Sequence, residues 1–284
     1  MKIFVTGGTG YIGSRLTDSL KRRAHDVKTL GLENSADIKA DVTDFGALKE
    51  GIRGFDAIYH LAAKIGVSKS FDSPKEYFAI NADGTKNILE ASRLNDIKQI
   101  IFTSSIVVYG KPQYLPIDEN HPTSPTSPYG QSKLMAEKFC KEYSDNYGFK
   151  ITILRIGYLY GPAQSNLFFP TVISQLNNDK ITVQNLDFKL DYVFIDDVVS
   201  ALVKSLDMKK SNLFNIGFGK SISGRDVIDT LSEIVGRKII VETINPRHEE
   251  EEVMDISKAK KVLKWKPEIN LERGLRKILA SISS

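Results

Sequence analysis

The chain starts with a short apolar run, Ile3-Phe4-Val5, which stops at Thr6 and gives way to glycines at positions 7, 8, 10 and 13. A partly β-branched run so near the terminus reads as a buried parallel strand. From Ser14 to Leu20 the sequence resumes at helical spacing, with Leu16 and Leu20 on one face. Strand, glycine turn and helix in this order make a βα unit whose turn can approach a pyrophosphate. The helix N-terminus adds unpaired N–H donors and the positive end of its dipole. Two registers fit: Gly8, Gly10 and Gly13 as G-x-G-x-x-G, or Gly7, Gly10 and Gly13 as G-x-x-G-x-x-G. The competing reading is a glycine-rich turn that binds nothing.

Further strands are predicted at 26–30, 37–40, 57–61, 99–103 and 150–155, separated by helical or capped segments. Asp41 to Asp44 can cap a helix ending near Gly51. A long helix is expected from Pro74 to Leu94, and another from Ser132 to Tyr147. The stretch from Lys111 to Pro128, rich in Pro, Ser and Thr, is a long loop of the kind that tends to be functional. Strands alternating with helices predict an α/β fold, a Rossmann-type doubly wound parallel sheet. Beyond Gly161-Pro162 the pattern loosens. A dinucleotide-binding domain at 1–162, rejoined by 191–218, and a smaller C-terminal α/β substrate domain at 163–284 are expected.

A chain of 284 residues can bury a large core. Its net charge of +4 gives no reason to expect nucleic acid or an anionic membrane. Cys140 is the single cysteine, which excludes an intrachain disulfide and a cysteine zinc cluster, and the four histidines show no metal-ligand spacing. No metal is expected. No stretch has membrane-span length, so a cytoplasmic protein is the default.

Tyr129-Gly-Gln-Ser-Lys133 follows the long loop. Positions i and i+4 share a helical face, so a phenol and an ammonium can point at one place. A tyrosine titrating near ~10 is a poor base at neutral pH, and a nearby lysine cation favours its phenolate. Such a pair suits proton removal from an alcohol as its carbinol hydrogen leaves as hydride. Ser105, ending the fifth strand, can hydrogen-bond the same oxygen. Each part alone is common: Tyr-x-x-x-Lys arises by chance on helices, and serine after a strand is usually a cap.

Several motifs occur together in order: Thr6 to Gly13, His60-Leu-Ala-Ala63, Asn81 with Gly84-Thr85, Ser104-Ser105 to Tyr109-Gly110, and Ser127-Pro-Tyr129 with Lys133. Arg155 to Pro162, Asp191 to Val198, Asp255 to Ala259 and Trp265-Lys-Pro267 continue the series. The set resembles the extended short-chain dehydrogenase/reductase family, in its NAD-dependent nucleotide-sugar epimerase/dehydratase branch, with the UDP-galactose 4-epimerases as the nearest group. The resemblance implies that Gly7, Gly10, Tyr11, Ile12 and Gly13 hold the pyrophosphate. Asp41 and Val42 would meet the adenine, Leu61, Ala62 and Ala63 would line the cleft, and Asn81 would support the cofactor. It further implies Tyr129 as base, Lys133 holding the nicotinamide ribose and lowering the tyrosine pKa, and Ser105 completing the proton network. A homodimer through a four-helix bundle, built from 79–94 and 132–147, is implied as well.

Four departures from the family pattern shape the expected activity. The ribose-binding acid after the second strand is Gly31, with Glu33 two residues on as its substitute; NAD is expected and NADP stays open. The dehydratase Asp-Glu pair is Ile106-Val107, which argues against elimination of water. The cysteine of carbon-epimerising relatives is Val107. On the substrate side the usual Asn is Tyr158 and the usual diphosphate Arg is Leu190, leaving Lys189 and Arg247 as candidates, or as plain surface charge. The expected activity is a nucleotide-sugar 4-epimerase passing through a 4-keto sugar. An NAD(P)H-dependent carbonyl reductase and a non-catalytic NAD(P)-binding sensor are the alternatives.

Overall fold

Alternate residues of the first strand, Lys2–Thr6, are buried on both sides. Ile3 and Val5 join one core cluster with Leu16, Leu20, Val198 and Leu202; Phe4 joins another with Leu48, Ile88, Leu89, Ala136 and Cys140. A strand apolar on both faces needs helices over both faces, and this burial is the main stabilising term. The computed structural model describes residues 1–164, 168–244 and 251–282. It shows a seven-stranded sheet. The order from one edge is Asn212–Ile216, Lys150–Ile156, Gln99–Ser105, Ala57–His60, Lys2–Thr6, Asp26–Gly31 and Ile38–Lys39. Every pairing is parallel. The strand order reverses beside Lys2–Thr6, which puts the crevice for a ligand at that strand's C-terminal end.

The helices Tyr11–Arg22 and Ile195–Ser205 cover one face, and Phe45–Gly51, Gly84–Leu94 and Pro128–Tyr147 cover the other. Asp44 caps the Phe45–Gly51 helix, accepting from the Ala47 N–H at 3.0 Å. Within 191–218, Ile195–Ser205 is helical and Asn212–Ile216 adds an edge strand to the sheet. The predicted single helix from Pro74 to Leu94 is interrupted. Pro74–Tyr77 is α-helical, Phe78–Asp83 widens into a π turn, and Gly84–Leu94 is α-helical again.

Smaller parallel pairs follow: Tyr158–Tyr160 with Tyr192–Phe194, and Lys180–Val183 with Ile240–Thr243. Aromatic residues pack together here, Tyr160 stacking on Phe169 at 4.6 Å between ring centroids. Asp191, fully buried, fastens this region by accepting from the N–H groups of Phe218 at 2.5 Å and of Gly219 and Met254 at 3.0 Å. Burial pushes its carboxyl up to about 6. Asp197 works similarly, taking the N–H groups of Glu268 and Ile269, while its own carbonyl accepts from the Trp265 indole.

Candidate active site

The glycine turn is closely packed. The Gly10 N–H donates to the Gly7 carbonyl at 3.0 Å, and a Cβ on Gly13 would stand 2.0 Å from that same oxygen. Gly7 has φ +68°, and a Cβ there would meet the Ala62 backbone nitrogen at 2.7 Å. Gly7, Gly10 and Gly13 are thus one packed unit, whereas Gly8 faces the Thr29 side chain. Gly10 also precedes the Tyr11–Arg22 helix, and no side chain caps that helix. An uncapped N-terminus beside a small-residue turn fits a dinucleotide diphosphate.

The turn opens on a cleft of about 530 Å³. Gly7, Gly10, Tyr11, Ile12, Gly13, Glu33, Asp41, Val42, Leu61, Ala62 and Ala63 all line it. Sequence reasoning missed Lys64, Ile65 and Ile80, which line it too. A Cβ on Gly31 would lie 2.7 Å from the Thr9 hydroxyl, so a side chain at this position requires Thr9 to turn aside. Glu33 stands exposed at the rim. Asp41 spends one carboxylate oxygen on the Thr43 N–H and hydroxyl, both at 2.8 Å. Asn81 does not line the cleft; it is buried beside it.

A chain of hydrogen bonds runs from the cleft wall to Asn81. The Thr85 hydroxyl donates to the Asn81 carbonyl at 2.6 Å, so it accepts from Nε2–H of His60 at 3.0 Å. His60 Nδ1 then accepts from the Thr6 hydroxyl at 2.7 Å, and that oxygen accepts the Ala62 N–H at 3.3 Å. This fixes one neutral tautomer. Burial, then the Lys133 charge, pulls His60 down to about 3. Asn81 clamps Lys64: its oxygen takes the Lys64 N–H at 2.8 Å, and its nitrogen donates to the Lys64 carbonyl and to the Ser132 hydroxyl, each at 2.9 Å. Its seat in the π turn connects the cleft segment to the first turns of the Pro128–Tyr147 helix.

That helix begins earlier than the sequence pattern suggests, with Ser127 as N-cap and Pro128 in its first turn. Tyr129 and Lys133 therefore do share a helical face. Tyr77 stands edge-on to Tyr129, ring centroids 6.1 Å apart. Burial pushes the Tyr129 phenol up to about 12, and a hydrogen bond from Ser105 is what pulls it back. Lys133 is itself drawn down to about 8 by burial, partly restored by Glu137. Its Nζ lies 4.5 Å from the centre of the Phe102 ring. Ser105 ends the Gln99–Ser105 strand, so Ser105 and Tyr129 lie at the C-terminal end of the central sheet.

The substrate-side candidates fall differently. Tyr158 is half-buried and donates its hydroxyl to the Glu252 carboxylate at 3.2 Å. Lys189 and Leu190 form a short strand against Glu251–Glu252 and Ile222–Ser223. Lys189 is exposed there. Arg247 lies outside the described residues. Among the described residues no cluster of metal-ligating side chains occurs, and no helix is long and apolar enough to cross a membrane.

A parallel doubly wound sheet with an uncapped glycine turn and a Ser–Tyr–Lys set defines a dinucleotide-dependent class of protein. Residues 3–217 match the model of the NAD dependent epimerase/dehydratase family, and the chain belongs to that family. A Methanocaldococcus jannaschii protein assigned to UDP-glucose 4-epimerase is 36% identical over 299 residues, covering 98% of this chain and 97% of its own. The crystal structure of Thermotoga maritima UDP-glucose 4-epimerase with UDP-glucose is similar at a TM-score of 0.91 and 27% identity, covering 100% and 99%. Bacillus cereus UDP-glucuronic acid 4-epimerase, in complex with UDP-glucuronic acid and NAD, gives 0.89 and 30% over 100% and 99%.

Proposed function

We propose that the protein is an NAD-dependent nucleotide-sugar 4-epimerase, with Ser105, Tyr129 and Lys133 as its catalytic residues. The observation that carries this is the meeting of Tyr129 with Ser105, one helical turn from a buried Lys133, in a chain whose relatives are UDP-sugar 4-epimerases. Gly7, Gly10, Tyr11, Ile12 and Gly13 would hold the diphosphate of NAD, with Glu33, Asp41, Val42, Leu61, Ala62, Ala63 and Asn81 around it. The cofactor, when bound, accepts a hydride from the sugar and returns it. Tyr129 takes the proton of the 4-hydroxyl while the electron pair of the C4–H bond leaves. Ser105 holds the oxygen through that change. Lys133 supplies positive charge to the phenolate. In the reverse sense Tyr129 would give the proton back to the 4-oxygen, so the sugar leaves at its original oxidation level and no reductant is consumed.

The same proposal divides the chain into a cofactor part at 1–162 with 191–218, and a substrate part at 163–284 that supplies Lys189 and Arg247 to the diphosphate, with Tyr158 beside them. Pairing of Asn212–Ile216 with Lys150–Ile156 supports the returning segment. A cytoplasmic homodimer is included, its four-helix bundle supported by Leu94, Met135 and Tyr147, exposed on the two relevant helices. Incubating purified protein with UDP-glucose and reading the C4 configuration of the product by NMR tests the activity. Sedimentation tests the dimer. One observation favours a carbonyl reductase instead: the position of the usual diphosphate arginine is Leu190, which cannot pair with a phosphate. Stoichiometric loss of NAD(P)H absorbance with a keto substrate would select that reading.

A further inference from the structure

Arg15 stands in the second turn of the Tyr11–Arg22 helix, whose first residues line the cofactor cleft. Its half-buried guanidinium spends both arms on carbonyls. Nη1 donates to that of Tyr11 at 2.9 Å, and Nη2 donates to that of Pro162 at 2.8 Å. The guanidinium carbon lies 4.5 Å from the centre of the Tyr11 ring. One side chain thus joins the cleft wall to a turn 147 residues further on, where the cofactor part gives way to the substrate part. That turn is stiff. The Gln164 amide closes it by donating to the Leu159 carbonyl at 2.7 Å, and Ala163, at φ +61°, holds a left-handed conformation that residues with a Cβ rarely adopt. Gly161 leaves no room for a side chain: a Cβ there would lie 2.5 Å from the Ile195 side chain and 2.8 Å from the Tyr11 hydroxyl. That hydroxyl is buried and has no hydrogen-bond partner among the described residues, so packing between Arg15 and Gly161 is what holds the ring. The turn runs back into the Tyr158–Tyr160 strand, and Leu159 is itself a cleft residue.

We propose that Arg15 is a positioning residue that makes the substrate part follow the cofactor. Ordering of the glycine turn and Tyr11 by a bound dinucleotide passes through its two arms to the Leu159–Gln164 turn, and so to Tyr158. This rests on the reading of 1–162 as the cofactor part and of Tyr158 as a substrate-side residue. Water satisfies a single carbonyl nearly as well as a side chain does. Only a rigid fork with two donors makes the place of one carbonyl depend on the place of the other. The nearby carboxylate of Asp196 does not compete for the fork, being taken by Lys277 at 2.7 Å. A 4-epimerase has a use for the link: hydride leaves and returns to one sugar, and a nucleotide sugar seated before the dinucleotide meets no acceptor.

Hydrogen exchange of the full chain, read on peptides covering 158–164 and 7–13 without and with saturating NAD, tests the link. In the unaltered protein NAD should slow exchange at both places, at 158–164 by about tenfold, the order that one charge-assisted hydrogen bond supplies. In Arg15→Met the slowing should vanish at 158–164 and persist at 7–13, with NAD affinity by calorimetry little changed. Arg15→Gln, too short to span the two carbonyls, gives the same reading if the methionine variant does not fold. Slowing at 158–164 equal to that of the unaltered protein overturns the proposal. So does a joint loss of NAD affinity and of slowing at both places, which is what a merely structural role produces. Calorimetry with UDP carries the test into the substrate part: NAD should tighten UDP about five- to tenfold in the unaltered protein and leave it unchanged in the variant. Equal tightening in both proteins overturns the proposal. If UDP binds neither while exchange responds as expected, the link stands and the nucleotide-sugar reading falls.

Discussion

The Thr6 hydroxyl donates to Nδ1 of His60 at 2.7 Å, tying together the C-terminal ends of two adjacent strands. That bond needs a neutral imidazole, and His60 is drawn from 6.5 to about 3. The unfolded chain therefore takes up a proton at His60 as pH falls below 6.5, while the folded chain does not until about 3. The group's contribution is complete above that upper value and is lost as pH falls. At ~1.4 kcal/mol for each tenfold difference in proton affinity between the two states, on the order of a few kcal/mol should disappear by pH 4. Urea unfolding across this range, compared with His60→Asn, checks it: the variant should lose less of its remaining stability on acidification.

Tyr129→Phe keeps the ring against Tyr77 and removes only the phenol oxygen. Turnover should fall by about 10²–10⁴-fold, the usual worth of a positioned acid or base, with NAD affinity little changed. Ser105→Ala should lower kcat and shift its pH profile upward, because Ser105 is the group that favours the phenolate. Steady-state kinetics with calorimetric NAD titration separates these effects. Unaltered kcat in Tyr129→Phe would place the chemistry elsewhere.

Gly13→Ala puts a methyl 2.0 Å from the Gly7 carbonyl oxygen, a contact with backbone that cannot rotate away. The turn and the helix start must separate, at a cost of about 3 kcal/mol or more by the usual toll of overpacking. Thermal unfolding should show the loss, and NAD binding should weaken with it. Gly236→Ala is the contrast: nothing lies within 4 Å of its Cβ, and its cost comes only from its φ of +71°.

Glu33 is exposed at the cleft rim, and the neighbouring turn places Asn34 on Lys39 at 2.7 Å. Removing the carboxylate by Glu33→Ala should narrow the preference for NAD over NADP by about tenfold, the worth of one charge-assisted hydrogen bond. Titrating both cofactors into both proteins measures the ratio. An unchanged ratio would show that Glu33 does not read the ribose.

Arg247→Lys keeps the charge and loses the planar fork that grips two phosphate oxygens. KM for UDP-glucose should rise about tenfold to a hundredfold, at ~1.4 kcal/mol per decade, with a smaller loss on a sugar stripped of its nucleotide. Lys189→Ala is the paired measurement, since both residues compete for the role. Equal losses on both substrates would remove Arg247 as the anchor.

The parts of the fold written in short-range pattern were legible. Apolar runs such as Ile100 to Phe102 mark central strands, and the glycine spacing announces its own turn. The π turn at Phe78–Asp83 was hidden, because periodicity does not carry the long-range contacts that accompany it, such as the clamp of Asn81 on Lys64. The early helix start was available in Ser127-Pro128, a cap followed by a first-turn proline. Burial decided what the sequence could not: it pushes the Tyr129 phenol up, and it brings Arg155, from a strand of the central sheet, onto Glu137.

A π turn is a helix that has taken in one residue more than its hydrogen-bond spacing asks for. Shortening 78–83 by a single residue would restore an ordinary helix. The widening takes up that residue, so Tyr77 and Gly84–Leu94 would keep their phase and Tyr77 would stay against Tyr129. The residue lost would come from the turn that carries Asn81, and the amide clamp on Lys64 would lose its place. The extra residue in 78–83 therefore sets where Asn81 stands between the cleft residue Lys64 and Ser132 of the helix that carries Tyr129.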